Sequence, residues 1–221
     1  MTSIDQSQDR RRRLLTAART LFAARPYEKV TTTEIAKRAG VAYGLIAHHF
    51  ENKHGLYLAV MKEIGAELAA EQDAPLTGDT LEDQLREALG RHVRYIDQNA
   101  AGFTAMMRGG LGTDPEFRSM LETLRWVGAA RILHRLGVPD PPPATLRSAM
   151  RAWVAYFDEL MLDRIETQAL DLGDLVELAA AALKSTVAAT LELDPEIRVR
   201  SDVHQLLHSR PATGSRLPAR S

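Results

Sequence analysis

Cysteine is absent from the 221-residue chain, which excludes a disulfide framework and any metal site built on thiolates. The N-terminal stretch MTSIDQSQDRRRR lacks the apolar core that a secretory signal needs. No apolar run elsewhere approaches the length of a membrane-spanning helix, about 20 residues. We therefore expect a soluble, cytoplasmic protein without a membrane partner.

Catalytic motifs are also missing. The sequence contains no G-x-S-x-G, no H-E-x-x-H and no phosphate-cradling loop. Gly109, Gly110 and Gly112 do not form a dinucleotide-binding loop, because no strand precedes them and the third glycine of that motif is lacking. We predict that the protein is not an enzyme and has no cofactor.

Two polar clusters deserve comparison with a metal or acid–base site. Asp158, Glu159 and Asp163 fall on an amphipathic helix, where carboxylates far more often form a solvated face than a catalytic pair. The histidines of the second cluster are His48, His49 and His54. Because a helix break separates His49 from His54, the two do not share a face, and we predict no metal site.

Positive charge is concentrated towards the N-terminus. Residues 1–62 carry 11 Lys and Arg against 5 Asp and Glu, whereas residues 63–193 carry 12 against 21, and residues 194–221 carry 5 against 3. A basic N-terminal module on an acidic body suits a nucleic-acid reader, because neutralising phosphates supplies much of the affinity. The alternative is an ordinary surface on which charge is unevenly shared.

The stretch from Thr31 to His54, TTTEIAKRAGVAYGLIAHHFENKH, has the pattern of a helix-turn-helix followed by the start of a longer helix. Thr31 and Glu34 fit the T-x-x-E capping box that starts a helix. Gly40 supplies the left-handed turn that a Cβ would oppose.

A second short helix is predicted from about Ala42 to Phe50. At 100° per residue, Ile46 and Phe50 share the face that packs on the preceding helix. The opposite face carries Tyr43, Gly44, Ala47 and His48. An aromatic ring, a bare backbone position and an imidazole suit a surface that meets a ligand. The alternative is a helical hairpin inside an ordinary core.

The remainder of the chain shows helical periodicity and no strand signal, so the predicted fold class is all-α with about nine helices. We expect a disordered N-terminus at 1–9 and a three-helix helix-turn-helix domain at 10–55. A larger helical ligand-binding and dimerisation domain follows at 56–193, and a largely disordered tail at 194–221. The helix that starts near Asn52 runs on to about Glu71 and joins the two domains.

Three stretches of residues 10–62 share one further property. LLTAARTLFA, T-x-x-x-IA-x-x-AGV and HHF-x-x-K-x-x-LY-x-AV have the order and spacing seen in the DNA-binding domain of TetR-type (tetracycline-repressor-type) transcriptional regulators, which this region resembles. Ala42 and Ala47 depart from the family, which often has Ser or Thr at the first position and Tyr at the second.

The resemblance implies a homodimer whose recognition helices enter successive major grooves about 34–36 Å apart. It also implies an effector cavity within the fourth to eighth helices and dimerisation through the eighth and ninth. We therefore expect a ligand-responsive transcriptional regulator, a repressor that a small, mainly apolar effector releases from double-stranded operator DNA. The alternative is an all-α enzyme or small-molecule carrier that uses His92 or Asp158 in a helical cavity without binding DNA.

For the DNA contacts, we predict that Lys53, His48 and His49 meet phosphates while Tyr43 reaches into the groove. The basic run Arg10–Arg13 either reaches DNA or is a solvated helix start. The full predicted set is Thr31, Thr32, Lys37, Ala42, Tyr43, Gly44, Leu45, His48, His49 and Lys53.

For the effector, His92 and Asn99 interrupt an inward-facing apolar stripe of the fifth helix, so they either bind the ligand or bond to neighbouring helices. Aromatic and methionine walls with few polar groups suit an apolar molecule. The predicted site is His92, Tyr95, Ile96, Asn99, Phe103, Met107, Leu121, Leu124, Trp153 and Phe157.

For the dimer, the ninth helix carries one apolar stripe with charged residues opposite. We predict that this stripe forms the interface, and the alternative is that it faces only its own domain. Its members are Leu172, Val176, Ala179, Leu183 and Val187.

Overall fold

The computed structural model describes residues 3–108 and 110–208, and these residues form ten α-helices, two short 3-10 helices and no β-strand. The all-α class is confirmed, with one helix more than predicted. None of the described helices combines the length and the apolar character needed to cross a membrane. The α-helices are α1 Ser3–Ala24, α2 Thr32–Ala39, α3 Gly44–Phe50, α4 Lys53–Asp73, α5 Leu81–Gln98, α6 Ala100–Arg108, α7 Pro115–Arg135, α8 Ala144–Thr167, α9 Leu172–Leu193 and α10 Ser201–His208.

The chain divides into two compact units, and neither is one continuous segment. Unit 1 comprises Met1–Ala74 together with Arg91–Gly128, and unit 2 comprises Pro75–Gly90 together with Ala129–Ser221. The divisions fall inside α5 and α7, so each of these helices contributes one part to each unit. Unit 1 extends beyond residue 55 because α4 packs against α1 and α3. The domain boundary expected at residue 55 stays a prediction.

The core of unit 1 is built from the apolar stripes that the sequence indicates. Leu14, Leu15 and Phe22 of α1 are buried together with Ile35 of α2 and Ile46 of α3. Burying one such side chain contributes about 1.5–3 kcal/mol relative to leaving it in water. The first half of α7 adds two more members to the same cluster, Phe117 and Met120.

Both ends of the chain are more helical than expected. α1 begins at Ser3 rather than near Arg10, with Asp5 in its first turn and Arg12 paired with Asp9 at 2.7 Å. An acidic first turn and an i,i+3 ion pair both favour a helix over the disorder expected for residues 3–9. Residues 1–2 lie outside the described part of the chain.

The expected tail forms α10, because two of its apolar side chains find a place to bury. Val203 is fully buried and Leu206 nearly so, in a helix that packs on α9. The Arg200 backbone N–H also donates to the Leu136 carbonyl at 2.9 Å. The prediction for residues 209–221 lies outside the described residues.

Unit 2 is centred on the packing of α8 against α9. The Trp153 indole N–H of α8 donates to the Ala179 carbonyl of α9 at 3.1 Å, and the Trp153 ring stacks on Phe157 with centroids 5.4 Å apart. The first half of α5 is attached to α9 by ion pairs, Lys184 to Glu82 at 2.8 Å and Arg86 to Glu177. Apolar packing and paired charges therefore hold this unit together.

Candidate nucleic-acid interface and effector region

The connection between α2 and α3 is a capped helix start followed by a left-handed turn, as the sequence predicts. The Glu34 N–H donates to Thr31 Oγ1 at 3.2 Å, and the Glu34 carboxylate accepts from the Thr31 N–H at 2.9 Å. Gly40 has φ 61° and ψ 41°, a conformation that favours glycine. The Val41 N–H then bonds to the Ala36 carbonyl at 3.1 Å and closes the helix.

The two faces of α3 are the ones that its periodicity indicates. Ile46 and Phe50 are buried in unit 1, whereas the Tyr43 residue at the helix start is 62% exposed. The Thr32 hydroxyl lies 3.5 Å from the Tyr43 hydroxyl and donates to it. The other exposed residues of this surface are Ala42, Gly44, Ala47 and His48. A phenol and open backbone are thus available to a partner.

The remaining predicted DNA contacts differ in accessibility. Lys37 is exposed on α2, whereas Leu45 is partly buried and packs against the core of unit 1. The Thr31 hydroxyl is already used in the capping box. Their contacts with DNA stay predictions.

Lys53 makes internal contacts. Its ammonium group donates to the carbonyl oxygens of Tyr27 and Val30, both at 3.0 Å, and lies 4.1 Å from the centroid of the Tyr27 ring. These contacts explain a cation in the first turn of α4, where the helix dipole disfavours it. The phosphate contact of Lys53 stays a prediction.

His48 and His49 lie edge to face, with ring centroids 4.8 Å apart. Burial lowers the pKa of His49, and the nearby His48, Arg11 and Arg10 lower it further. The Nε2 atom of His49 is buried without a hydrogen-bond partner among the described residues. His49 is therefore held towards its neutral form beside a basic surface.

His54, one of the three clustered histidines, has acidic partners that the sequence alone did not reveal. Its Nε2 lies 3.1 Å from Asp114 Oδ1, and its Nδ1 lies 3.7 Å from Glu116. The hydrogen bond from the Phe117 N–H lowers the pKa of Asp114, and the interaction with His54 lowers it by a smaller amount. The contact ties the start of α4 to the start of α7. In residues 3–108 and 110–208 no cluster of His, Asp and Glu is suited to a metal ion.

Two residues of the predicted effector site belong to a polar network in unit 1. The Tyr95 hydroxyl donates to Glu67 of α4 at 3.1 Å, and Glu67 accepts from Arg19 of α1 at 2.6 Å. The Asn99 side chain accepts from Arg19 at 3.0 Å and donates to the Tyr95 carbonyl at 2.9 Å. The alternative left open by the sequence, bonding to neighbouring helices, describes Asn99.

The other predicted effector residues divide between the units. Ile96 and Phe103 are buried in unit 1, where burial also lowers the pKa of His92 to about 4. Unit 1 also contains Met107, Leu121 and Leu124, all partly buried, whereas Trp153 and Phe157 are core residues of unit 2.

Two side chains that the sequence did not single out carry unpaired polar atoms in unit 1. Gln72 Nε2 on α4 and Thr104 Oγ1 on α6 are buried without a partner among the described residues. Such atoms cost about 1–3 kcal/mol each. Neither residue interrupts a long apolar stripe, so the periodicity that drew attention to His92 gave no signal.

The predicted dimer stripe of α9 is largely covered within its own unit. Val176, Ala179, Leu183 and Val187 are all buried within the single chain, and Leu172 is partly buried. α8 packs on α9, and α10 does so as well. A side chain buried within its own chain has no surface left for a second copy. The four buried residues therefore match the alternative, contact within their own domain.

Comparisons with known proteins find two family matches. A family model described as "Bacterial regulatory proteins, tetR family" matches residues 14–60, and one described as "Tetracyclin repressor-like, C-terminal domain" matches residues 81–189. Among solved structures, a tetR-family transcriptional regulator from Streptomyces coelicolor has a TM-score of 0.74 and 26% identity, and the match covers 90% of this chain and 87% of that one.

The curated relatives include both a transcriptional repressor and a transcriptional activator. The repressor AcnR of Corynebacterium diphtheriae is 32% identical over 126 residues, which is 56% of this chain and 59% of the relative. The activator FasR of Mycolicibacterium smegmatis is 29% identical over 115 residues, 52% of each chain. The chain thus spans little more than half the length of these relatives.

Proposed function

The chain belongs to the TetR family of bacterial regulatory proteins, and from this premise we propose that it is a ligand-responsive transcriptional regulator that binds operator DNA as a homodimer in the cytoplasm. The observation that carries the proposal is the exposed face of α3, where Tyr43 projects beside the open backbone of Gly44. The face belongs to residues 1–62, which carry 11 Lys and Arg against 5 Asp and Glu, whereas residues 63–193 carry 12 against 21. Such a surface fits the major groove between two phosphate strands.

Binding to DNA is tested by fluorescence anisotropy with duplexes from the region upstream of the gene. Operator affinity is expected to fall steeply as salt rises, because bound phosphates release counterions. Tyr43→Ala is expected to relax preference at one or two base pairs, costing about 1–3 kcal/mol there. Affinity that is independent of both salt and sequence would instead favour the carrier hypothesis.

The effector site is assigned to unit 1, among α4, the second half of α5, α6 and the first half of α7. Its apolar side chains are Ile96, Phe103, Met107, Leu121 and Leu124. The partly buried imidazole of His92 and the unpaired atoms of Gln72 and Thr104 offer polar contacts to one end of a mainly apolar molecule. The Bacillus subtilis regulator FadR, which shares the fold at 18% identity and a TM-score of 0.59, was solved with stearoyl-CoA.

Stearoyl-CoA and free stearate are therefore suitable first probes. One of them is expected to lower operator affinity, and the operator should lower the affinity for that probe by the same factor. His92→Ala is expected to change the probe's affinity without changing operator affinity in its absence. Repression is the proposed outcome, with release of the operator when the effector binds.

The dimer contact is assigned to the outward faces of α8 and α9 instead of the buried stripe. Tyr156 of α8 is 38% exposed and Leu178 of α9 is 43% exposed. Small exposed residues accompany them at helical spacing, so a second pair of helices can approach closely. They are Ala152, Ala155, Ser185 and Ala189.

Light scattering distinguishes the two faces of α9. Leu178→Arg places a charge on the outward face and is expected to give a folded monomer. Leu183→Arg buries a charge inside the chain, because Leu183 is only 3% exposed, and is expected to lower the melting temperature strongly. A Leu178→Arg protein that remains dimeric would contradict this assignment.

A further inference from the structure

Four successive arginines in α1, Arg10–Arg13, point in four directions, because neighbouring helical residues are turned by about 100°. The structure gives them different partners. Arg12 pairs with Asp9 within α1, whereas Arg11 and Arg13 reach towards α3 and the turn that precedes it. For Arg10 no partner is found within residues 3–108 and 110–208. The four arginines therefore have different environments, and we consider their roles one at a time.

Arg13 binds the turn of the helix-turn-helix. Its guanidinium donates to the Gly40 carbonyl at 3.0 Å, across 27 residues of sequence. The cation lies at the C-terminal end of α2, where the helix dipole is negative. A Cβ on Gly40 would come within 2.6 Å of the same guanidinium nitrogen, so the space beside the left-handed turn is filled by Arg13.

Arg11 contacts the C-terminal end of α3. Its guanidinium carbon lies 5.2 Å from the centroid of Phe50, the last residue of the helix. A guanidinium over an aromatic face is attractive by about 0.5–1 kcal/mol at exposed sites. The Phe50 ring is otherwise buried in the core of unit 1. Two arginines of α1 thus contact the turn that precedes α3 and the last residue of α3.

We propose that Arg13 is a positioning residue for DNA reading, fixing α3 against α1 together with Arg11, while Arg10 is the phosphate-binding member of the run. This inference rests on the proposed DNA-binding function. Base readout requires side chains to be held within about 0.5 Å and 10–20°. The rigid, planar guanidinium donates to the Gly40 carbonyl and fills the space beside the turn, whereas the flexible side chain of lysine keeps the charge without that planar group.

The test separates a positioning residue from a phosphate contact by the salt dependence of binding. The variants are Arg10→Met, Arg13→Met and Arg13→Lys, measured with the upstream duplex and with a scrambled duplex of the same composition. Arg10→Met is expected to weaken both complexes and to reduce the slope of log affinity against log salt by about one per chain. Arg13→Met is expected to weaken the operator complex by about tenfold with an unchanged slope, leaving the scrambled duplex unaffected.

Arg13→Lys provides the decisive comparison, because it keeps the charge and removes the planar guanidinium that fills the space beside Gly40. A positioning role predicts that this variant behaves like Arg13→Met on the operator, with a wild-type salt slope. A phosphate contact predicts near wild-type affinity for Arg13→Lys and a reduced slope for Arg13→Met, and that result would overturn the inference. Equal losses on operator and scrambled DNA would overturn it as well.

Folding and function are separated by two controls. Circular dichroism and melting temperature show whether Arg13→Met is folded, and Arg13→Lys decides the question if it is not. A wild-type protein that shows no salt-dependent DNA binding would refute the proposed function itself, and the inference with it. A wild-type protein that binds DNA while both Arg13 variants match it would refute the inference alone.

Discussion

Glu34 shows how one side chain at a helix start links charge to stability. The Arg25 guanidinium, followed by the N–H and hydroxyl of Thr31, lowers the pKa of Glu34 from 4.5 to about 2. Because the folded-state pKa is depressed, the ionised carboxylate stabilises the fold above about pH 4.5, and this contribution is lost as the pH falls towards 2.

Glu34→Gln is therefore expected to flatten the pH dependence of the unfolding free energy between pH 4.5 and the lowest pH at which the protein stays folded. Urea titrations at fixed protein concentration measure it. Glu63→Gln, at an exposed position of α4, is the matched control. Equal pH slopes for wild type and Glu34→Gln would argue against the capping-box carboxylate.

His92 is a base and Glu34 is an acid, yet folding lowers the pKa of both side chains. Burial lowers its pKa from 6.5 to about 4, so the unfolded chain binds a proton that the folded chain resists. Above about pH 6.5 the ring is neutral in both the folded and the unfolded chain, so His92 does not lower the free energy of unfolding. As the pH falls from 6.5 towards 4, the free energy of unfolding decreases by up to about 1.4 kcal/mol per pH unit. His92→Gln is expected to reduce this loss, and His134→Gln, on the exposed side of α7, is not.

Residue-scale prediction from sequence worked where the partners are close along the chain. Thr31 and Glu34 are three residues apart, and Gly40 ends the helix that they start, so local rules were sufficient. The partners of Lys53, His54 and Arg13 lie 23 to 62 residues away. Such contacts depend on how the helices pack against one another, and a local sequence pattern does not predict that packing.

At the scale of the element, α9 matched its expected bounds while its stripe proved to pack inside its own domain. The period of 3.6 residues identifies a buried face, yet it does not say whether the same chain or a second copy covers it. α8 and α10 both pack on α9, and of these two helices α10 was expected as disordered tail. Its short apolar pattern, Val203 and Leu206, gives a helix only when a surface receives it.

The ion pairs between α5 and α9 provide an element-scale prediction. Lys184 donates to Glu82 at 2.8 Å, with side chains only 10% and 18% exposed. A double-mutant cycle with Glu82→Gln and Lys184→Met is expected to give a coupling free energy of about 1–3 kcal/mol. Arg86 also contacts Glu82, so Lys184→Met alone should cost less than Glu82→Gln alone. A coupling below about 0.5 kcal/mol would show that the pair is loosely held.

At the scale of the whole molecule, the two tryptophans fall in different units, Trp126 in unit 1 and Trp153 in unit 2. Trp126→Phe and Trp153→Phe each leave one reporter. The helices α5 and α7 each contribute residues to both units. Unfolding of either unit is therefore expected to disrupt these two helices. We expect urea unfolding curves of the two variants to have coincident midpoints by fluorescence and circular dichroism once each is corrected for its own stability change. Separate transitions would show that α5 and α7 can unfold in one unit while they stay helical in the other.

The all-α class and the family were predictable for the whole molecule because they depend on periodicity and on a dense local motif. The division into units was not, since it follows from which half of α5 and of α7 joins which core. Phe117 and Met120 are the clearest examples. They lie more than 50 residues beyond the end of the predicted DNA-binding domain and yet complete its core.

That arrangement limits how such a protein can be recombined. A chimera that joined residues 1–62 to another helical body would inherit the reading surface of α3 but leave Phe117 and Met120 behind, exposing the side of its core that they cover. A graft that also carried the first half of α7 would need three crossovers instead of one. Exchange of operator specificity between relatives is therefore easier by substituting the exposed residues of α3 than by exchanging whole domains.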